Sequence, residues 1–325
     1  MAKLIENPKT YQGQELDTIF FRPLLSGPNA ENLGIRVLYN MPVPTTLQFW
    51  KQATDVLKQY AKGWTGGDPA QKYQKKIDLF KVKAELGFSA TDYFQMVYEH
   101  LSNSTEANLD DLTGTALEAA ETSLFKESIA EAIRATMWYG DSARASGLNT
   151  FDGFIKRIKA DIASGTPELK TVAMTSMATA DAAEALMKNM WDASPEVLKQ
   201  FKSQGDLVYL VSSDVYNNYE ESLDSLSLES AYLAKQNGRK ELYFKGIPVI
   251  DVQMSGYAAT YTDMPASFAL LTESRNLALA VNTNDFPGME VRMWYNPDEM
   301  ENRQRAVFMA GCDYLLPELI VASLA

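Results

Sequence analysis

Apolar positions recur at helical spacing through Thr115 to Tyr139, TALEAAETSLFKESIAEAIRATMWY, the longest uninterrupted helical pattern in the chain. Phe125, Ile129, Ala132, Ile133 and Thr136 share one face, while Leu117, Ala120 and Leu124 lie on another, so the helix is expected to change partners along its length. Thr115 and Glu118 stand in capping-box spacing, and Gly140 is placed to close the helix in a left-handed C′ conformation. At 1.5 Å per residue such a rod is about 37 Å long, well beyond the usual three or four turns. A rod of that length needs a body laid along it.

The pattern before the rod is different. Residues 1–34 hold Pro8, Pro23, Pro28, Gly13, Gly27 and Gly34 and one short apolar cluster, IFFRPLL, which predicts an extended arm. Such an arm cannot bury Ile19, Phe20, Phe21, Leu24 and Leu25 by itself, and a neighbouring subunit is the natural surface for them. Ile35, Val37 and Tyr39 alternate with Arg36, Leu38 and Asn40, and Phe80, Val82, Ala84 and Leu86 alternate with Lys81, Lys83 and Glu85, so both stretches predict strands. Between them Phe49 to Tyr60 predicts a short helix, followed by AKGWTGGDPAQKYQKKID, in which Gly66-Gly67-Asp68-Pro69 is turn chemistry. Six Lys and two Asp fall between Lys62 and Lys83, the signature of a long basic excursion. No Lys-Ser/Thr follows the glycines, which argues against a phosphate cradle. Ser89 to Leu101 predicts a second capped helix with Tyr93, Phe94, Val97 and Leu101 on its apolar side.

After the rod come a Gly140-Asp141 turn, a loop through Gly147, and an amphipathic segment carrying Phe151, Phe154, Ile155 and Ile158. Thr171 to Thr175 predicts a strand, and Thr179 to Trp191 a helix with Ala183, Leu186, Met187 and Met190 inward. Ser194-Pro195-Glu196 reads as a helix start with a serine cap and a first-turn proline. Leu207 to Val211 is a buried-strand pattern leading to a helix start at Ser212 or Ser213, and LYFKGIPVIDV and LALAVNT supply further strands. The segment from Met289 to Leu324 reads as strands broken at Asn296-Pro297-Asp298 and again over Gly311 to Pro317. Helices alternating with β-rich runs predict a sheet with helices packed on it.

Composition narrows the function classes. With 325 residues, 46% of them hydrophobic, the chain is long enough for one elaborated domain or two intertwined ones. Its single cysteine, Cys312, excludes an internal disulfide and sits among apolar residues as a buried structural thiol. The opening MAKLIENPKTYQGQ lacks the apolar run of a signal peptide, and no stretch reaches 18 consecutive apolar residues, so a reducing aqueous compartment and no membrane partner are expected. The net charge of −12 argues against a nucleic-acid binder. Its distribution is uneven: residues 1–83 carry 12 Lys+Arg against 7 Asp+Glu, and residues 84–325 carry 18 against 35. A basic front on an acidic body suits an arm that docks on another copy. The only histidine, His100, has no second histidine for a metal site and no Gly-x-Ser-x-Gly or cysteine partner for a nucleophile, and the dinucleotide, Cys-x-x-Cys and calcium-loop spacings are missing. Catalytic, cofactor-binding and metal residues are therefore all expected to be none.

The order of these pieces resembles the major capsid proteins of tailed bacteriophages with the Hong Kong 97 fold. A proline-rich arm, a basic hairpin excursion, a long helix ending in Tyr139-Gly140-Asp141 and then FDGFIKRI resembles that family's arm, loop, spine helix and Gly-containing segment. GDLVYLVSSDVYNNYEESL is similar to its axial strand and helix, KGIPVIDV to its Gly-x-Pro-Val strand, and RQRAVFMAGCDYLLPELIV to its closing strands. Leu271-Thr272-Glu273 stands where many relatives have a Gly-Asp pair. The resemblance implies an α+β capsid fold with an N-arm at 1–34, an E-loop region at 35–86, a peripheral domain at 87–170 with its spine helix at 115–139, an axial domain at 171–285, and return strands of the peripheral domain at 286–325. It also implies self-assembly into hexamers and pentamers of an icosahedral head enclosing double-stranded DNA without sequence-specific binding. The expected location is the virion, with assembly in the host cytoplasm. A separate scaffolding protein, a portal and decoration proteins are the implied partners, since the sequence has no long charged N-terminal extension to act as a scaffold. Phe20, Phe21, Leu24, Lys62, Trp64, Gly66, Gly67, Lys72, Lys75 and Lys76 are the expected inter-subunit contacts. An encapsulin-type compartment shell is the nearest alternative, and a soluble α/β enzyme the third.

Overall fold

The computed structural model describes residues 9–11, 33–39, 45–51, 62–63, 71–89, 116–225, 242–282, 290–296, 298–299 and 301–325. Five strands come first: β1 (Lys9–Tyr11), β2 (Arg36–Tyr39), β3 (Thr45–Lys51), β4 (Gln71–Ile77) and β5 (Phe80–Ser89). The long helix α1 (Ala116–Tyr139) and the shorter α2 (Phe154–Ala163) follow. Next are β6 (Lys170–Thr171), α3 (Ala182–Ala193), α4 (Glu196–Gln200), β7 (Leu207–Val211), α5 (Ser213–Ser225), β8 (Leu242–Phe244), β9 (Ile247–Asp251) and α6 (Ser255–Thr260). The chain closes with β10 (Phe268–Glu273), β11 (Leu277–Asn282), β12 (Val291–Asn296), β13 (Glu301–Tyr314) and β14 (Ile320–Leu324). This is the expected α+β architecture.

Three sheets form. The first has the order β1-β12-β13-β11-β2, with β5 also on β13. The second runs β6-β14-β10-β7-β9-β8, and the third is the β3–β4 ribbon alone. In the second sheet the two-residue period divides side chains between two cores. Leu207, Tyr209, Val211, Ala269, Leu271 and Val321 pack with Ala183, Leu186, Met187 and Met190 of α3 and with Leu198 of α4. Val208, Leu210, Phe268, Leu270, Ile320 and Ala322 pack on the other side with α1, α2 and the first sheet. Both faces are covered, which is why these strands read as continuous apolar runs.

The helix α1 follows its sequence pattern through Phe125, Ile129 and Ile133, all buried, and residues 135–140 are then buried all round. Trp138 stacks on Phe268 at 5.7 Å and meets Phe154 edge-on at 5.5 Å, so the end of α1 joins the second sheet and α2 through one aromatic group. Ala132, expected on the buried face, is exposed. Gly140 does not take the left-handed conformation expected of it. Its amide still donates to the Thr136 carbonyl at 2.8 Å, and its missing side chain serves close approach, because a Cβ there would collide with the carbonyls of Thr136 and Phe151. Gly153 passes equally close, donating to the Gly140 carbonyl at 2.9 Å.

Several other expectations are corrected. Phe49, Trp50 and Lys51 lie in a strand, since β3 pairs with β4 throughout, and the rest of the expected helix to Tyr60 lies outside the described residues. Ser89 ends β5, and the remainder of the helix expected to Leu101 is outside them too, as are Thr115, Ile19, Phe20, Phe21, Leu24 and Leu25. Three residues of the expected arm, Lys9–Tyr11, pair with Val291–Met293 as β1. The strand at 171–175 shrinks to Lys170–Thr171, although the Val172 amide still reaches the Ala322 carbonyl at 3.0 Å. Ser194 donates back to the Met190 carbonyl at 2.7 Å, leaving Pro195 as the cap of α4. The break expected over Gly311 to Pro317 falls at the end of that stretch: β13 continues to Tyr314, its glycine passing beneath the Asp78 carbonyl, and β14 starts only at Ile320. Sheet membership crosses residue 285: β11 joins β13 in the first sheet, and β14 joins β10 in the second.

Candidate assembly interface

The β3–β4 ribbon is the one sheet of the described structure with only two strands. Such a ribbon is marginal in water without a third strand or a packing surface. Its register sets Trp50 opposite Lys72, Leu47 opposite Lys75 and Thr46 opposite Lys76. At its root Ile77 and Leu79 enter a small core with Leu38, Ala278, Ala280, Met309 and Leu315. Successive strand residues face opposite ways, and here that decides the fate of two lysines. Lys75 turns inward, its Nζ 3.4 Å from Asp313 Oδ2 and 5.0 Å from the Tyr314 ring centre. Lys76 turns outward and pairs with Asp78 at 2.7 Å, with both side chains more than half exposed.

Asp313 is the residue that joins the ribbon to the body. It is almost fully buried and also meets Arg157 Nη1 of α2 at 3.2 Å. Burial pushes its carboxyl above the ordinary carboxylate range against the opposing pull of Arg157 and Lys75. Sequence reasoning missed this centre. The signal was there in GCDYLL, a charge inside an apolar strand, which requires a partner.

Beside the ribbon, α1 and β5 enclose an open apolar groove of about 360 Å³. Val82, Ala84 and Leu86 form one wall, Phe125, Ile129 and Ile133 the other, and Ala132 lies on the lining of the groove, which explains its exposure. The opposite side of β5 presents Lys81, Lys83 and Glu85 to solvent.

The turn after α1 is held by charge. Lys156 Nζ donates to Asp141 Oδ1 at 2.6 Å and to Asp152 Oδ1 at 2.7 Å, and Asp152 also accepts from the amide and hydroxyl of Ser142. The Lys156 hydrogen bond holds Asp141 below its ordinary range. At Asp152 burial pushes the pKa up, but the Lys156 and Ser142 bonds outweigh it and the net direction is down. Burial likewise works against the Lys156 charge and is outweighed by the two carboxylates, so its pKa is raised. Arg144 donates to the Tyr139 carbonyl at 2.7 Å, pairs with Asp263 at 2.7 Å and covers the Tyr261 ring at 4.5 Å, so it caps the end of α1. Cys312 is fully buried, and burial pushes its thiol up, which makes it a structural residue.

Of the expected contacts, Lys62 is exposed at a bend, Lys75 is engaged within the chain and Lys76 is exposed. Lys72 lies in β4, and its side chain is outside the described residues, as are Phe20, Phe21, Leu24, Trp64, Gly66 and Gly67 altogether. Among the described residues no group of three or more His, Cys, Asp or Glu is arranged to hold a metal ion, and no helix is long and apolar enough to cross a membrane.

Two sheets joined by a long helix, with a free ribbon beside them, is an architecture with known counterparts. A chain of the satellite phage P4 procapsid, which includes the size determination (Sid) protein, superposes with a TM-score of 0.54 at 10% identity, over 94% of this chain and 90% of that one. The chain has the Hong Kong 97-type capsid fold. The capsid of an empty GTA particle matches with a TM-score of 0.54 at 14% identity, over 92% and 90% of the two chains. The capsid of the Myoviridae phage XM1 matches at 0.51 and 12% identity, over 92% of each. No protein-family model and no curated protein sequence matches the chain.

Proposed function

We propose that this chain is the major capsid protein of a tailed bacteriophage, a structural protein that assembles into hexamers and pentamers of an icosahedral head around double-stranded DNA. The observation that carries the reading is a capsid fold matched over about nine-tenths of both chains. The two-stranded ribbon supports it, because a basic flap without a third strand is completed by lying on another copy. Heterologous contacts of that kind close into rings. In this reading Lys62, Lys72 and Lys76 lie against the acidic body of the next subunit, where each exposed pair is worth only about 0–1 kcal/mol but is repeated through the shell. The apolar arm residues Phe20, Phe21 and Leu24 seat on a neighbour, and the groove between α1 and β5 offers apolar surface of the right kind. The acidic body suits a container that does not grip its contents. The reading places the protein in the virion, with assembly in the host cytoplasm aided by a scaffolding protein and completed by a portal and decoration proteins.

Sedimentation of the purified chain tests this. Megadalton shells are expected, in contrast to a particle of 36.2 kDa or a small multiple of it. Above about 1 M salt, where the screening length is near 3 Å, assembly should slow or misdirect. A compact monomer under every assembly condition would overturn the reading. Small shells packed with a protein cargo in place of DNA would assign the chain to an encapsulin-type compartment.

A further inference from the structure

One end of the second sheet carries charges that pair with none of the described residues. Lys202 Nζ lies 5.1 Å from the centre of the Trp191 ring, and Lys245 Nζ lies 5.7 Å from the same centre and 5.6 Å from that of Phe244. Both lysines are exposed, and neither has an ion pair or hydrogen bond among the described residues. Two ammonium groups gathered on one indole repel each other, and an anion between them relieves that repulsion. Lys245 is also held at φ 51, ahead of Gly246 at φ 79, in a two-residue turn joining β8 to β9. Asn, Asp or Gly is the usual choice at that first position, so a lysine there is disfavoured by its backbone. Tyr243 of β8 and Val197 of α4 add exposed apolar area in the neighbouring segments, at 45% and 41% exposure.

The complementary charge lies on the same domain. Glu220 and Glu221 on the C-terminal half of α5 are exposed and have no partner among the described residues. Among the described residues, two cations and two anions without partners thus coexist around one sheet without meeting.

We propose that the Trp191, Lys202 and Lys245 patch receives Glu220 and Glu221 from a second copy of this chain. Each copy then uses both patches once, the head-to-tail arrangement that closes a ring. This contact rests on the shell reading above and is distinct from that of the ribbon. A nucleic acid fits the patch less well, since two lysines do not make the continuous basic track that phosphates require.

The test is assembly of the full chain, followed by sedimentation velocity, for wild type, for Lys202→Glu with Lys245→Glu, for Glu220→Lys with Glu221→Lys, and for all four together. Each double variant should yield about tenfold less assembled material with its subunit unfolding midpoint unchanged, and the fourfold variant should recover most of it. Double variants that assemble as well as wild type overturn this contact and leave the shell reading intact. Folded double variants whose defect the fourfold variant does not repair overturn the pairing of these two patches. A wild type that stays monomeric overturns the shell reading itself. Duplex DNA binding that the Lys202→Glu, Lys245→Glu variant loses without losing assembly would assign the patch to nucleic acid and overturn the proposal.

Discussion

The sheet of β6, β14, β10, β7, β9 and β8 is apolar on both faces and packed on both, whereas the β3–β4 ribbon has two strands, TTLQFWK and the lysine-rich QKYQKKI. Both are regular β structure built by the same hydrogen bonds, but the first is packed on both faces, while of the ribbon's described side chains Ile77 is buried, Lys75 half-buried and Lys76 exposed. The difference separates stability from association within one chain. Substitutions in the sheet should act on the folded subunit, and substitutions at the outward positions of the ribbon should act on what the subunit joins.

The largest contrast comes from one residue in each region. Phe268 is fully buried, stacked on Trp138 and edge-on to Tyr139 at 6.3 Å. Phe268→Ala should therefore cost about 3–5 kcal/mol of subunit stability, measured by denaturant unfolding of dissociated subunits. Lys76→Ala, at an exposed position, should stay within about 0.5 kcal/mol of wild type in the same measurement. If the two variants shift the unfolding midpoint equally, the division between the two regions fails.

The junction between them should give an intermediate effect. Asp313→Ala leaves Arg157 and Lys75 without their shared buried partner, and about 1–3 kcal/mol should be lost. Asp313→Asn should be milder. Because burial raises the folded-state pKa of Asp313 above its unfolded value, the stability this group contributes is fully present below the unfolded value and lost as pH rises through the folded one. The Asn variant should thus remove a stability decrease on the alkaline side of the ordinary carboxylate range. In both variants amide exchange should rise more in β4 than in β7, and equal increases would show that Asp313 supports the body at large rather than the ribbon.

The same division explains what the sequence reveals. Ala183, Leu186, Met187 and Met190 all face the core as their spacing predicts, and β7 is buried throughout, because periodicity is a local signal that burial enforces. The ribbon is harder to read: Phe49 and Trp50 suit either a helix or a strand, and only their pairing with Tyr73 and Lys72 decides. Gly140 shows a second kind of ambiguity, since a glycine after a helix marks either a left-handed turn or a close approach, and here the second applies. The Lys75–Asp313–Arg157 centre and the exchange of β11 and β14 between sheets depend on contacts across most of the chain, beyond the reach of any local pattern. The expected lysine contacts rested on charge excess, and charge excess does not separate Lys75, which serves the fold, from Lys76, which faces outward.

The smallest effect should come from the turn at the end of α1, and its sign is opposite to that of Asp313. Asp141 and Asp152 have folded-state pKa values below their unfolded ones, so their contribution is present above the ordinary carboxylate range and lost as pH falls through the lowered values. Lys156 has a raised value, so its contribution is present below its unfolded pKa and lost as pH rises through the folded one. The clamp therefore works in the wide window between acid and alkaline limits, while Asp313 favours the acid side. Lys156→Met keeps most of the aliphatic stem and removes the charge that both carboxylates share. The cost at neutral pH should be under about 1 kcal/mol, because all three side chains retain some contact with water. The more telling readout is the slope: between about pH 2 and pH 5 the variant should lose less stability on acidification than wild type. Parallel curves for the two proteins would mean that Asp141 and Asp152 owe their lowered values to the Ser142 and Ala143 amides, and that Lys156 is a bystander in the turn.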